Sequence, residues 1–443
     1  MRRKLSHMQI IAVGFFLMIM TGTFLLMLPI SSQGRVWTPF IDALFTATSA
    51  SCVTGQVVKD TATYWSSFGH VVIITLIQIG GLGFMTIATL FFLACRKRMG
   101  LRKRAVMVES ISYTQVAGIL PFVKKIIFGT LFFEGVGAVL LSIRFIPEFG
   151  LGRGIAYSIF HAISAFCNAG FDLMGIREPY ISFCDYSGDW LVSGTIMFLI
   201  VMGGLGFMVW DDLLQKKHHV RRYSLHTKIV LTMFVILTFG GAALFFLFER
   251  NNLGLELPLH EQILTALFDS VTARTAGFNT TDTAALTDSS KLLTMILMFI
   301  GGNSGSTAGG VKTTTIAVIL IYTVCGLKGY QHATVFGRRL EEDSLKKATY
   351  VFFANLMLVL CGTLVICTIQ NIGVVDVLFE CFSAGGTVGM TTGITRELNA
   401  VSKLVIIFLM YCGRVGSISF GSALLEKRAL PPVTAPVENI TIG

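Results

Sequence analysis

Charge is scarce in this chain of 443 residues: Asp, Glu, Lys and Arg make up 14% and hydrophobic residues 53%, whereas a soluble domain carries about 25% charge. That deficit excludes a water-soluble globule and puts the chain in a lipid bilayer. Paired cysteines are missing as well. The nine cysteines are scattered without zinc or redox spacing and read as packing residues. The eight histidines form no cluster, no His/Glu metal motif occurs, and no loop is large enough to house a catalytic domain. Gly305 to Thr313 nearly spells a phosphate-binding loop, but Val311 stands where that motif requires Lys, and Lys312 comes one residue late. An enzyme or ATP-driven pump therefore lacks its chemistry here, and no nucleotide or nucleic acid is expected to bind.

Long apolar runs are what the chain does have. Eight stretches approach the roughly 20 residues that a spanning helix requires: 9–29, 70–95, 122–145, 191–210, 228–248, 291–325, 349–370 and 403–425. The first follows Arg2, Arg3 and Lys4 but is long and lacks a small-residue cleavage site, so it reads as a retained helix rather than a signal peptide. Assigning loops alternately puts 23 of the 35 Lys and Arg beside the N-terminus, including the clusters Arg96 to Arg104 and Lys216 to Arg222, and ten opposite. Positive charge collects on the cytoplasmic side, so both termini are expected there. The formal charge of +10 reads as this topology signal, not as a nucleic-acid footprint. The outer loops hold about 16 acidic residues, a mouth that would concentrate cations.

A motif recurs four times: Phe, three residues, Ser or Thr, Ala, then Gly within a few positions. The copies are Phe45, Ser49, Ala50, Gly55; Phe160, Ser164, Ala165, Gly170; Phe268, Thr272, Ala273, Gly277; and Phe379, Ser383, Ala384, Gly389. The glycines lie 115, 107 and 112 residues apart, too long a period for a solenoid. Each copy ends an apolar segment too short to cross: 40–50, 155–165, 263–273 and 374–384. Such segments read as re-entrant pore helices, because irregular backbone at membrane depth must be buried in protein or line water. The expected fold is an all-α integral membrane protein with eight spanning helices, built as four repeats of helix, re-entrant pore helix, helix around a pseudo-fourfold pore. Residues 1–104, 105–225, 226–335 and 336–426 are the repeats, and 427–443 a cytoplasmic tail.

Before each glycine stand Val53 and Thr54, Asn168 and Ala169, Thr275 and Ala276, or Thr387 and Val388. None is acidic. A filter without carboxylates coordinates through backbone carbonyls, which suits a weakly hydrated monovalent cation. Glycine permits the positive φ that aims successive carbonyls one way. The candidate ion-binding set is thus these eight residues with Gly55, Gly170, Gly277 and Gly389.

A second mark lies in the last helix of each repeat. Gly80-Gly81-Leu82-Gly83-Phe84 and Gly203-Gly204-Leu205-Gly206-Phe207 read as close-packing sites. The third copy expands to Gly301, Gly302, Asn303, Ser304, Gly305, Ser306, Thr307, Ala308, Gly309 and Gly310, too glycine-rich to stay helical, and reads as a flexible intramembrane loop that gates passage. The fourth, Cys412-Gly413-Arg414-Val415-Gly416, puts Arg414 about 16 Å from either end of its span, too far to snorkel. Pairing with the glycine loop would satisfy its donors. Glu134 is also isolated at depth, and Lys312 is expected to line the inner cavity or reach cytoplasmic solvent.

Taken together, Thr272 to Asn279, Ser164 to Phe171, Thr387 to Gly389 and the 301–310 loop with Arg414 make the chain similar to the membrane subunit of the Trk/Ktr/HKT superfamily of potassium transporters, of the bacterial KtrB type. The longer TrkH type carries extra N-terminal helices missing here. The resemblance implies K+ as the transported ion, a potassium filter at the four glycines, and a bacterial inner-membrane homodimer docked on a KtrA-type cytoplasmic nucleotide-binding ring. The basic loops and the tail after Glu426 would be the contacts. A serine in place of the first glycine is associated with sodium transport in plant relatives, and Gly55 stands here. A Na+-selective or Na+-coupled symporter of the same fold remains the alternative. Gly389→Ser is expected to weaken discrimination of K+ against Na+, as competition in Rb+ uptake would show; unchanged selectivity would remove Gly389 from the filter.

Overall fold

The computed structural model describes residues 7–83, Thr86, 119–416 and Glu438. Arg2, Arg3 and Lys4, the cluster Arg96 to Arg104, the far parts of stretches 70–95 and 403–425, and the tail apart from Glu438 lie outside the described residues.

Four of the apolar stretches become continuous helices: His7–Met27, Ile119–Phe149, Leu225–Glu249 and Glu342–Ile369, with 21, 31, 25 and 28 residues. Among the described residues these four are long and apolar enough to cross a membrane. They leave Phe16, Leu17, Phe128, Phe132, Ile236, Phe239, Phe353 and Leu364 exposed. Side chains of that size on an open face require a lipid solvent.

Each long helix is followed by a short one: Phe40–Cys52, Leu151–Phe166, Leu259–Thr272 and Val374–Gly386. Pro39, Gly150, Pro258 and Gly373 stand at their N-caps, where proline and glycine turn the chain without losing a helical hydrogen bond. At 13 to 16 residues they are longer than the ten-residue segments expected, yet at 1.5 Å per residue they reach only about 20 to 24 Å and fall short of the bilayer core. The repeated Phe anchors each one: Phe45, Phe268 and Phe379 are fully buried, and Phe160 nearly so.

The helices that complete the units begin alike and end differently. Side chains of Ser66, Asp189, Thr287 and Asn399 cap their N-termini, accepting from Gly69, Leu191 and Val192, Ser290 and Ser402 amides. These caps satisfy amides the helix leaves free. Among the described residues none of the four is one unbroken helix of spanning length, and the far parts of stretches 70–95 and 403–425 lie outside them. Ser67–Leu82 stops at Gly83 (φ 80°) and Ala400–Val415 at Gly416 (φ 89°). Trp190–Gly204 bends by 92° into Phe207–Lys216 around Gly206 (φ 95°). Asp288–Phe299 and Thr313–Leu327 are separated by the glycine-rich segment. At Gly83, Gly206 and Gly416 the break needs glycine, since a positive φ strains any residue bearing a Cβ; Asp288–Phe299 ends at Ile300 with φ of −84°, just before the glycine-rich segment.

One exception to the all-helical reading is a small antiparallel hairpin, Thr334–Val335 with Arg338–Arg339. Phe336 and Gly337 turn it with φ of 50° and 71°, the conformation of a two-residue type I′ loop.

The expected close-packing role of Gly80 and Gly203 is visible. A Cβ on Gly80 would overlap Ser51 O, and one on Gly203 would overlap Phe166 O. The fourth unit repeats this, with Gly413 against Gly385 O. Gly194, in the same helix as Gly203, faces open space. Gly203→Ala is expected to destabilise by about 1 to 3 kcal/mol through overpacking, while Gly194→Ala is neutral or stabilising by up to about 1 kcal/mol. Thermal denaturation of both variants in detergent checks this; equal midpoints would refute the close contact.

Candidate functional site

After each short helix the chain makes the same turn. Val53, Asn168, Thr275 and Thr387 take φ of 58°, 59°, 72° and 51°, and two residues later Gly55, Gly170, Gly277 and Gly389 take 91°, 68°, 80° and 102°. The repeated Ser or Thr of the sequence motif explains how these turns are held. Ser49 and Ser383 hydroxyls accept from the Gly55 and Gly389 amides at 3.0 Å. Ser164 and Thr272 hydroxyls donate to Phe171 O and Phe278 O at 2.7 Å.

The four turns meet in a closed ring. A Cβ on Gly55 would lie 3.0 Å from Gly170 Cα; one on Gly170, 3.1 Å from Gly277 Cα; one on Gly277, 3.1 Å from Gly389 Cα; and one on Gly389, 2.9 Å from Gly55 Cα. The nearest atoms in the same directions are the carbonyl oxygens of Ala169, Ala276, Val388 and Thr54. All twelve candidate ion-binding residues therefore belong to one ring or its immediate supports. Neighbouring turns are tied together: Asn168 accepts from Thr275 Oγ1 at 3.2 Å when its amide is turned to donate to Ala165 O and Ile200 O, the orientation that satisfies both ends. The hydroxyls of Thr54 and Thr387 have no partner among the described residues, leaving the ring with oxygens to offer.

Facing the ring is a cavity of about 610 Å³ that touches all four glycines. Asp60, Asp172, Glu178 and Asp282 line it against a single Arg396, whose guanidinium lies 4.1 Å from the centre of the Tyr180 ring. Four of the acidic residues counted in the expected outer loops thus meet at this vestibule. Burial pushes the Asp172 carboxyl, on the loop beyond Gly170, up to about 6, so the vestibule loses negative charge in mildly acidic medium.

Across the other side of the ring runs the 301–310 segment. It is non-helical, as its glycines dictate, but it is bonded rather than loose. Asn303 N and Nδ2 donate to Gly204 O at 3.2 and 2.9 Å, Thr307 N donates to Gly203 O at 3.3 Å, and Gly310 N donates to Gly413 O at 3.3 Å. Phe207 N donates back to Gly305 O at 2.8 Å. Thr307 Oγ1 donates to Phe166 O at 3.2 Å. Glycine carbonyls freed by the broken helices are the partners this segment uses. Arg414 adds to the web: its guanidinium donates to Thr307 O, to Gly80 O at 2.5 Å and to Gly81 O at 3.0 Å. One arginine thus bridges the glycine segment and the end of Ser67–Leu82.

Lys312 folds back, donating to Ala308 O at 2.7 Å and Gly309 O at 3.3 Å, instead of extending to cytoplasmic solvent. Glu134 finds a donor in Gln78 Nε2 at 3.3 Å, itself contacted by Cys167 Sγ at 3.6 Å.

Sequence reasoning missed the support behind the ring. The residue after each repeated Phe is polar: Thr46, His161, Asp269 and Glu380, all buried. Three of them reach the strand that leaves the ring. His161 Nε2 accepts from Leu173 N at 3.0 Å, Asp269 accepts from Thr281 Oγ1 at 3.3 Å, and Glu380 accepts from Gln56 Nε2 at 2.6 Å, Thr395 Oγ1 at 2.7 Å and Thr391 Oγ1. A polar residue at one fixed repeat position inside an apolar helix was the signal available.

Broken helices gathered around a ring of glycine turns make this a helical membrane fold. The family described as TrkH, cation transport protein, matches residues 3–429, and the chain belongs to that family. It is 43% identical to the potassium/sodium uptake protein NtpJ of Enterococcus hirae, over 100% of this chain and 98% of that protein. With the Ktr system potassium uptake protein B of Bacillus subtilis it shares 40% identity over 93% of this chain and 91% of that one. The crystal structure of the potassium transporter TrkH from Vibrio parahaemolyticus has the same fold, with a TM-score of 0.76 at 18% identity, covering 96% of this chain and 86% of that chain. The protein is therefore a multi-pass membrane cation transporter.

Glu380→Ala removes a shared acceptor from three donors, of which Gln56 Nε2 keeps Glu380 O at 3.2 Å and the Thr391 and Thr395 hydroxyls keep each other at 3.0 Å; a buried donor left short of a partner costs about 1 to 3 kcal/mol, whereas Glu380→Gln keeps an acceptor in place. The alanine variant is expected to melt well below the glutamine variant in detergent. Coincident melting curves would show that the network does not hold the ring.

Proposed function

We propose that this chain takes up K+ through a single filter formed by Val53, Thr54, Gly55, Asn168, Ala169, Gly170, Thr275, Ala276, Gly277, Thr387, Val388 and Gly389. The observation that carries this reading is the closed ring of four glycines, each against the carbonyl that precedes the next. K+ sheds its hydration shell to carbonyl oxygens at low cost, and a ring without carboxylates does not hold a divalent ion. The acidic vestibule raises the local cation concentration above it. Four units, each of long helix, re-entrant pore helix and broken inner helix, surround this path with both termini in the cytoplasm.

Below the ring, the 301–310 segment and Arg414 act as the gate. A cation leaving the filter meets a fixed guanidinium and a polypeptide crossing its path. Opening requires the segment to exchange its bonds to Gly203, Gly204 and Gly413 for others. The relatives named as Ktr system proteins support a chain that works with other subunits, as a homodimer on a KtrA-type regulatory ring that biases this exchange.

The name of the Enterococcus relative, potassium/sodium uptake protein, supports a second reading in which Na+ is co-transported or competes. Both are tested in a bacterial strain stripped of potassium uptake systems, by growth and Rb+ uptake at limiting K+ and graded Na+. Rescue independent of Na+ fits a K+ path alone; rescue that needs Na+ fits the coupled reading; no rescue with the membrane protein and its ring both present defeats both. In the same assay Arg414→Ala, or a helix-forming replacement of 302–310, is expected to raise basal K+ flux several-fold. A fall in both variants would overturn the gate.

A further inference from the structure

Away from the ring, a cleft of about 890 Å³ opens between Ser67–Leu82 and Leu151–Phe166. Its lining changes character along its length. Ser66, Ser67 and Arg153 stand where the two helices begin, and Val71, Ile74, Ile159 and Ile163 line the cleft one to three turns further along them. Val71 and Ile159 are 60% and 47% exposed, so the apolar end faces the surrounding lipid. No acidic residue lines the cleft, and Arg153 has no ion pair among the described residues, in contrast to Arg144 and Arg177, which pair with Asp189 and with Glu148 and Asp185. The helix Leu151–Phe166 also opens here without a side-chain cap.

We propose that this cleft is a binding site for an anionic phospholipid, with its phosphate at Arg153 and an acyl chain along Val71, Ile74, Ile159 and Ile163. The argument is complementarity on both counts. An unpaired guanidinium suits phosphate, which it contacts through a planar fork, and an exposed apolar lining is more favourably covered by hydrocarbon than left to water. Polar and apolar ends lie in the order that a lipid presents them. The site touches the transport path through one wall: Phe160 and Leu173 line it, and Leu173 N is held by His161 behind the Gly170 turn. An occupant therefore braces the second short helix against the first unit.

The test is a melting titration of the purified full chain in neutral detergent with dioleoyl phosphatidylglycerol, dioleoyl phosphatidylcholine or inorganic phosphate. Phosphatidylglycerol is expected to raise the melting midpoint more than phosphatidylcholine does. Arg153→Gln should weaken the phosphatidylglycerol titration at least tenfold, and Arg144→Gln should leave it unchanged. Ile74→Trp, which fills the apolar end, should reduce the response to the lipid with Arg153 intact. Equal shifts with phosphatidylcholine, or an unaltered titration in Arg153→Gln, would overturn the proposal; a shift produced equally by inorganic phosphate would reduce the site to an anion site without lipid. The readout involves no ion flux, so its failure is distinct from failure of the K+ reading.

Discussion

Four glycines approach one another so closely that no Cβ fits on any of them, and the remaining architecture follows from bringing them together. Each lies at the end of a short helix, so four helices must converge on one point. Convergence packs the turns among one another, so the backbone groups on their buried sides must find partners within the protein. The protein answers from within, with the Ser or Thr of each repeat bonding the turn it precedes and buried polar side chains bonding the strand that leaves it. The turns are thereby held by side chains, and on the proposed reading the ring's carbonyls are left to an ion.

The same economy of backbone groups governs the far side of the ring. Every inner helix stops or breaks at or next to a glycine, and the carbonyls exposed at Gly80, Gly81, Gly203, Gly204 and Gly413 become acceptors for Arg414 and for the 301–310 segment. A charged side chain at this depth is tolerable because it is fully engaged by dipoles. The arrangement also makes the segment replaceable in its contacts, since they are hydrogen bonds to neutral carbonyls and, among the described residues, no carboxylate pairs with the arginine. That is the property an obstruction needs if it is to move.

Much of this was legible in the chain. The four-copy motif singled out which glycines would be equivalent, because glycine tolerates the φ they adopt, and the apolar stretches coincide with the long helices His7–Met27, Ile119–Phe149 and Leu225–Glu249 to within four residues at each end. The failure of Gly301 to Gly310 to stay helical followed from its composition. Arg414 was recognisable as a residue that must find carbonyls, and Thr307 O is one of them. The missed positions, Thr46, His161, Asp269 and Glu380, differ in residue type from copy to copy, so that no string match reveals them; only their shared position after Phe does.

What the sequence by itself determined is periodic and local: membrane residence, a motif in four copies, short helices ending in positive-φ turns, and the points where inner helices cannot continue. These depend on hydropathy and on backbone sterics, which act over a few residues and can be read one segment at a time. Only the tertiary structure decided that the glycines close into a ring in the order 55, 170, 277, 389, that Arg414 spans from the third unit to the first, and that Glu134 is met by Gln78 and Lys312 by its own loop. Such pairings join residues far apart in the chain. They are chosen by which buried polar groups remain unsatisfied once the helices have packed, a condition that exists only in three dimensions.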